Sequence, residues 1–537
     1  MAWNYGDILD TIIPVLPEGH KAFIHGEREI TWAQMDVRTN NLARNLLARG
    51  AAHGDKVGFY MRNRPEYMEL LAACFRGRLV HVNVNYRYVP DEVHYIFDNS
   101  DATVVVYGKE FRDNVAQLRD RLPKVKLWIE VGGGDLPDGT LAYEDLVSEG
   151  DGANLDIERD PSDLLFLYTG GTTGMPKGVM WEHDALREVQ ILALRALGDV
   201  PETLDALREK IIADGRGEIY IPACPLMHGT GLFTALAAMM GGGTIITLEA
   251  ASLDAHELWA AVEKHRVENI AIVGDAFAKP MLKALDEDPA RYDLSSLKGM
   301  ISSGVMWSVE VKQRLLEHIP QILLADSFGA SEAVGFGSSV MAKDEPVKTA
   351  QFTTNDLCKV FDENDAEVPR GSKTPGFIAF GGPIPLGYYK DEEKTAKTFK
   401  TIGGHRFSIP GDYCLVAEDG TMTLLGRGSV CINSAGEKIY PEEVEEALKR
   451  HDSVQDALVV GIPDERWGQA VTAVITLNDG AALDAEMLKL HVRDLLAAYK
   501  TPKHILTDGP PLRAPNGKAD YKSATEFAEA QIVAAAS

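Results

Sequence analysis

Short apolar runs alternate with amphipathic stretches along the first third of the chain. Residues 56–60 carry a β-rich apolar pattern and predict a strand, and residues 66–76 have the spacing of a helix. A second strand over 79–82, a helix over 91–97 and a third strand over 103–107 follow, and residues 111–122 and 125–131 continue the series. Strands separated by helices predict βαβ units around a largely parallel sheet. The pattern resumes with expected strands at 164–168, 218–222, 244–248, 269–273 and 321–325, and a charged helical insert over 201–214. The most apolar stretch, 232–248, is broken by Gly241, Gly242 and Gly243. It therefore predicts a buried helix, a turn and a strand, not a membrane span.

Beyond Asp362 the segments become shorter, β-like and punctuated by glycine and proline. A compact α+β unit starts at Pro441, where proline, Glu442 and Glu443 suit a first helical turn and Val444, Ala447 and Leu448 share one face. Strands over 457–462 and 471–477 follow, then a helix capped by Asp484 and running through Leu488, Val492 and Leu495 to Tyr499. The expected fold class is α/β: a large N-terminal domain of βαβ layers with a β-rich subdomain, and a small mobile α+β C-terminal domain. The boundary is placed between residues 427 and 428, giving domains 1–427 and 428–537.

Composition narrows the function. The 537 residues are 45% hydrophobic and 25% charged, ordinary for a globular protein too long for one core. A formal charge of −26 disfavours nucleic acid and anionic membranes as partners. An acidic chain that binds an anion must concentrate positive charge locally. The five cysteines, Cys74, Cys224, Cys358, Cys414 and Cys431, show neither a CxxC pair nor metal-ligand spacing, a pattern suited to a reducing cytoplasm. The N-terminus lacks a basic segment before an apolar core, so no signal peptide and no integral membrane segment are expected.

The richest chemistry lies where the 164–168 strand runs into Thr169-Gly170-Gly171-Thr172-Thr173-Gly174-Met175-Pro176-Lys177-Gly178. Glycines let successive backbone N–H groups converge on an anion, the hydroxyls add donors, and Lys177 adds charge. The order of residues differs from a Walker loop, because Pro176 precedes the lysine and Gly178 follows it.

This segment resembles the phosphate loop of the adenylate-forming (AMP-binding) superfamily, which includes acyl-CoA synthetases, luciferases and peptide-synthetase adenylation domains. Gly170 stands where that family usually has serine. The resemblance extends along nearly the whole chain through motifs in the expected order. It implies that Ser327-Phe328-Gly329-Ala330-Ser331-Glu332 supplies Glu332 as a Mg²⁺ ligand, Ser331 as an α-phosphate contact and Phe328 as an adenine platform, with Asp326 accepting from the adenine amine. Ser303, Gly304 and Val305 match a wall of the adenine site, and Met306 and Trp307 the adjoining acyl site. Pro225-Leu226-Met227-His228 resembles a motif whose histidine borders the acyl channel. Asp412 and Arg427 match ribose contacts.

By the same resemblance, Lys518 in Pro515-Asn516-Gly517-Lys518 is the lysine that bridges the acyl carboxylate and the α-phosphate. Ser429 falls at the domain hinge, where Asp or Lys is usual. Ala435, Gly436, Glu437 and Lys438 match a loop lining the coenzyme A tunnel. The implied activity is an AMP-forming acyl-CoA synthetase using ATP, Mg²⁺ and coenzyme A on a small-molecule carboxylic acid. The motifs are most similar to those of bacterial ligases for medium- or long-chain fatty acids or steroid side-chain acids. Two alternatives stay open: a stand-alone adenylation enzyme loading a carrier protein, and a catalytically silent acyl-nucleotide binding protein. A homodimer is equally open.

Overall fold

The computed structural model describes residues 2–169, 175–195, 200–304, 307–344, 351–427, 432–434, 437–464, 468–496, 498–514 and 519–536. The chain forms two compact units, one of residues 1–349 and 380–408, the other of residues 350–379 and 409–537.

The first unit holds two sheets. One runs in the order Gly387–Tyr388, Lys177–Glu182, Leu164–Thr169, Val80–Asn83, Lys56–Tyr60, Ala102–Gly108, Leu127–Val131, Thr140–Ala142. Its middle is parallel, as the alternation of strands and helices predicts. Val104, Val105 and Val106 are all buried, as a strand covered on both faces requires. The core against this sheet includes Val82, Ile96, Phe97, Tyr107 and Phe166.

The second sheet of this unit follows the order Arg28–Thr31, Lys21–His25, Thr244–Thr247, Ile219–Pro222, Asn269–Ile272, Gly299–Ser303, Leu323–Ala330, Ala333–Met341. It is parallel from Lys21–His25 through Leu323–Ala330, with an antiparallel strand at each end. Helices Ala255–His265, Asp275–Glu287 and Val309–His318 contribute Leu258, Trp259, Met281, Leu282 and Leu315 to its core. The 232–248 stretch forms helix Gly229–Met240, a glycine turn and strand Thr244–Thr247, as its sequence predicts. The charged insert is helical over Leu204–Asp214, capped by the Thr203 side chain.

In the second unit, Gln351–Thr354, Met422–Arg427, Asp412–Val416 and Gly376–Phe380 pair in that order. A further sheet runs Glu437–Ile439, Ile432–Ser434, Gly468–Leu477, Val454–Asp464, with His504–Leu506 parallel to Gly468–Leu477. Helix Pro441–Lys449 begins at the proline and buries Val444, Ala447 and Leu448, the face its spacing predicts. The helix capped by Asp484 spans Ala485–Leu495, shorter than expected: Leu496 is already extended, and Tyr499 lies in a separate 3₁₀ turn, Ala498–Lys500. Among the described residues, no helix is long and apolar enough to cross a membrane.

Candidate active site

The phosphate-loop segment connects two antiparallel strands of the first sheet, with Thr169 opposite Lys177 in register. Strand Leu164–Thr169 enters the loop and Lys177–Glu182 leaves it, so the chain turns back on itself instead of entering a helix as a Walker loop does. Gly170, Gly171, Thr172, Thr173 and Gly174 lie outside the described residues. Lys177 is partly exposed and ion-paired with Asp391. That pairing holds the Asp391 carboxyl below its usual range.

Asp391 is also the N-cap of helix Glu392–Thr398: its Oδ1 accepts from the Lys394 N–H at 2.9 Å. Three residues earlier, the Tyr388 hydroxyl donates to Oε1 of Glu332 at 2.7 Å. The Lys177 ammonium sits 5.9 Å from the centre of the Tyr388 ring. Lys177 and Glu332, expected from sequence to serve the same phosphates, therefore converge on one tyrosine.

Glu332 and Ser331 form the turn of a long hairpin, Leu323–Ala330 and Ala333–Met341. The sequence predicted only its start, a strand at 321–325. The rest is rich in glycine and serine, which have little strand preference of their own, and is held by cross-strand pairing. The Trp181 indole donates to the Ser331 carbonyl at 2.9 Å, tying the hairpin turn to the strand that starts at Lys177.

Ser303 pairs with Ser327, and Ser302 with Asp326, across adjacent parallel strands. The expected adenine-site residues Ser303, Gly304, Asp326, Ser327, Phe328 and Gly329 are thus grouped at one end of the second sheet. Gly304 has φ +87°, a conformation that favours glycine. Gly329 packs so closely on its own hairpin that a Cβ there would stand 3.1 Å from the Gly335 nitrogen. Phe328 lies against Phe336, centroids 5.2 Å apart. Asp326 is ion-paired with the buried ammonium of Lys312. Val305 and Met306 lie outside the described residues. Trp307 sits in the core of the second sheet, 2% exposed, with the Lys312 ammonium 5.9 Å from its ring centre.

His228 is the N-cap residue of helix Gly229–Met240 and is partly exposed. Two buried or half-buried asparagines position the segment before it. The Asn63 amide donates to the Cys224 carbonyl at 3.0 Å, and its oxygen accepts from the Leu226 N–H at 2.7 Å. The Asn83 amide donates to the Tyr168 carbonyl at 2.9 Å and to the Met227 carbonyl at 2.7 Å, while its oxygen accepts from the Tyr168 N–H at 2.6 Å. Asn83 thereby joins the strand entering the phosphate loop to the segment carrying His228.

In the second unit, Asp412 pairs in register with Arg427 across antiparallel strands, so the two expected ribose contacts are neighbours. Only the backbone of Arg427, Glu437 and Lys438 is described; Ser429, Ala435, Gly436 and Lys518 lie outside the described residues.

Sequence reasoning missed Tyr388, Asp391, Asn83, Asn63, Trp181 and Lys312. For Asp391 a cap-like signal exists, an aspartate three residues before Lys394 at the start of a polar helix. Tyr388, Asn83, Asn63 and Trp181 carry no local signal, because their partners are 56 or more residues away; Lys312 meets Asp326 only through the pairing of the strand that follows its helix.

The donor chemistry fits Mg²⁺. Glu332 is a nearly buried carboxylate held by a hydroxyl, suited to a hard cation that takes further oxygen ligands from phosphate and water. Among the described residues, no group of three or more His, Cys, Asp or Glu could hold a metal unaided.

Residues 15–389 match the AMP-binding enzyme family, and residues 443–513 match the AMP-binding enzyme C-terminal domain. The chain is 40% identical over 543 residues to a 3-oxocholest-4-en-26-oate–CoA ligase of Rhodococcus rhodochrous, covering 98% of this chain and 96% of the relative. It is 41% identical over 543 residues to a medium/long-chain-fatty-acid–CoA/3-oxocholest-4-en-26-oate–CoA ligase of Mycobacterium marinum, covering 99% and 98%. The crystal structure of an anthranilate CoA ligase in complex with anthranoyl-AMP shares the fold, with a TM-score of 0.82 at 22% identity, covering 100% of this chain and 98% of the other. With its phosphate-loop strands, its Glu332 hairpin and both of its matched regions in order, the chain belongs to the AMP-binding enzyme family.

Proposed function

We propose that this protein is an AMP-forming acyl-CoA synthetase acting on medium- or long-chain fatty acids or steroid side-chain acids. The observation that carries the reading is the convergence of Lys177 and Glu332 on Tyr388 at the mouth of the phosphate-loop strands. The full-length similarity to ligases named for those acids supports the substrate class.

Joining a carboxylate to ATP brings two anions together, so the site must neutralise charge and hold both reactants in line. In this reading Lys177 and the Thr169 hydroxyl hold the β- and γ-phosphates, and Ser331 contacts the α-phosphate. Glu332 would hold Mg²⁺, which would supply charge neutralisation to the triphosphate. Phe328 stacks on adenine, Asp326 accepts from its amine, and Asp412 and Arg427 hold the ribose. Lys518 stabilises the charge that develops as the carboxylate oxygen bonds to the α-phosphorus and pyrophosphate leaves.

Coenzyme A then brings its own thiol, which attacks the acyl-adenylate and expels AMP. Lys518 must vacate the site for that step. The reading assigns the exchange to rotation of a C-terminal domain, residues 428–537, about Ser429, with Ala435–Lys438 then lining the thiol's path. His228 borders the acyl channel. We place the protein in the cytoplasm, where the buried thiols of Cys74, Cys224, Cys358 and Cys414 would stay reduced.

The test is release of AMP and formation of thioester with coenzyme A across short, long, aromatic and steroid acids. Turnover is expected with long-chain and steroid acids. Acyl-AMP formation without thioester would instead support carrier-protein loading, and absence of AMP release from every acid would overturn the reading.

A further inference from the structure

The turn from Tyr388 to Asp391 touches both of the charged groups expected to handle the triphosphate. It is itself held rigidly. Strand Gly387–Tyr388 pairs with Lys177–Glu182, Gly387 opposite Met180 and Tyr388 opposite Val179. The Tyr389 N–H donates to the Gly178 carbonyl at 2.8 Å, next to the lysine. The Thr395 hydroxyl accepts from the Tyr388 N–H at 2.9 Å and donates to the Asp391 carbonyl at 2.7 Å, closing the turn onto the following helix.

Two side chains leave this turn toward the site. Tyr388 is buried, its ring edge-on to Phe399 at 5.8 Å, and its hydroxyl orients one oxygen of Glu332. Asp391 uses one carboxylate oxygen for the helix cap and the other for Lys177. A carboxylate fixed by a cap cannot follow the lysine if it moves. Lys177 therefore has one fixed anion beside it and a triphosphate as its expected second one, and the two compete for the same ammonium.

We propose that the Tyr388–Asp391 turn is a positioning element in which Tyr388 orients Glu332 for the metal and Asp391 holds Lys177 until ATP takes the ammonium over. The inference rests on the assignment of Lys177 and Glu332 to the triphosphate. Neither Tyr388 nor Asp391 touches the reacting atoms in this scheme. Tyr388 acts through Glu332 by keeping its carboxylate aimed, and Asp391 acts through Lys177 by keeping the ammonium ordered and neutralised when no nucleotide is bound.

The test uses the full-length chain without acid substrate, so that binding is read apart from turnover. Mn²⁺ serves as the metal probe, and its free concentration is followed by electron paramagnetic resonance in the presence of ATP. Tyr388→Phe keeps the ring that faces Lys177 and removes only the hydroxyl. It is expected to raise the Mn²⁺ dissociation constant roughly tenfold, the usual scale for losing a group that orients a metal ligand. ATP binding in excess chelator should change little in this variant. Asp391→Asn keeps the helix cap and removes the competing charge. By calorimetry without metal it is expected to tighten ATP binding roughly threefold, the scale of a half-exposed ion pair, and the gain should shrink in high salt.

Unchanged Mn²⁺ affinity in Tyr388→Phe, or unchanged or weaker ATP binding in Asp391→Asn, overturns the proposal. Lys177→Ala and Glu332→Gln separate this from failure of the functional reading. If those two lose ATP or Mn²⁺ binding while the turn variants behave as the parent, only the role of the turn falls. If they too bind as the parent does, the site assignment falls with it. Thermal unfolding of each variant checks that the fold is retained, and should Tyr388→Phe unfold, Asp391→Asn decides the proposal alone.

Discussion

Replacing Asn83 with Leu tests how the phosphate-loop strand is anchored. Asn83 is 3% exposed and makes three side-chain hydrogen bonds, two to Tyr168 and one to Met227. Strand Val80–Asn83 ends here, so the side-chain amide continues the pairing of Leu164–Thr169 one step beyond the backbone ladder. Leucine keeps the branching of the side chain but is larger, and it leaves the Tyr168 N–H and the two carbonyls without this partner. At roughly 1 kcal/mol net for each bond, the expected destabilisation is about 3 kcal/mol. It is measured by urea unfolding, as a shift in midpoint at constant slope. Tyr168 directly precedes Thr169, where the loop begins, so part of the loss should appear in nucleotide binding. If about a third, ~1 kcal/mol, falls there, the KM for ATP rises about fivefold while the ranking of acids is unchanged. A destabilisation below about 1 kcal/mol with an unaltered KM would refute the claim that this amide anchors the strand.

Three further outcomes are expected. Lys518→Ala should slow acyl-AMP formation by roughly a hundredfold or more, yet leave conversion of supplied acyl-AMP to thioester largely intact; equal slowing of both steps would refute the assigned role. Trp307→Ala should cost about 3–5 kcal/mol of stability, because the ring lies in the core of the second sheet, whereas His228→Ala should shift the ranking of acids with little loss of stability; unfolding curves and an acid panel separate the two. Burial raises the Glu445 carboxyl to about 7, against the opposing pull of Lys449 and a hydrogen bond from the Val459 N–H. Because this value lies above that of the unfolded chain, its contribution is full below about pH 4.5 and is lost as pH rises toward 7. Glu445→Gln, which keeps the acceptor, should therefore gain stability relative to the parent at pH 8 but not at pH 4. The gain is up to about 3 kcal/mol, since each tenfold change in proton affinity is worth about 1.4 kcal/mol; parallel pH profiles would count against it.

Elements whose causes are local can be read from the chain alone. Residues 56–60 and the helix from Pro441 fall where apolar spacing and the first-turn proline put them, and the glycine-broken stretch after Leu232 folds as helix, turn and strand. The phosphate-loop, Glu332 and Lys518 motifs are contiguous runs of residues, so their resemblance to those of a known family could be seen in the chain alone. Tertiary structure decided what depends on pairing across distance. The Leu323–Ala330 strand extends well past its apolar start because a partner strand holds its glycines and serines, and the helix after Asp484 stops at Leu495 although its apolar spacing runs on to Tyr499. Only the folded chain brings Tyr388 to Glu332, 56 residues away, and Asp391 to Lys177, 214 away. A hydroxyl or carboxylate in a polar segment looks solvated in sequence. What gives it a role is the opposite charge or buried oxygen that packing of the strands and hairpins sets beside it, and no local pattern encodes that neighbour.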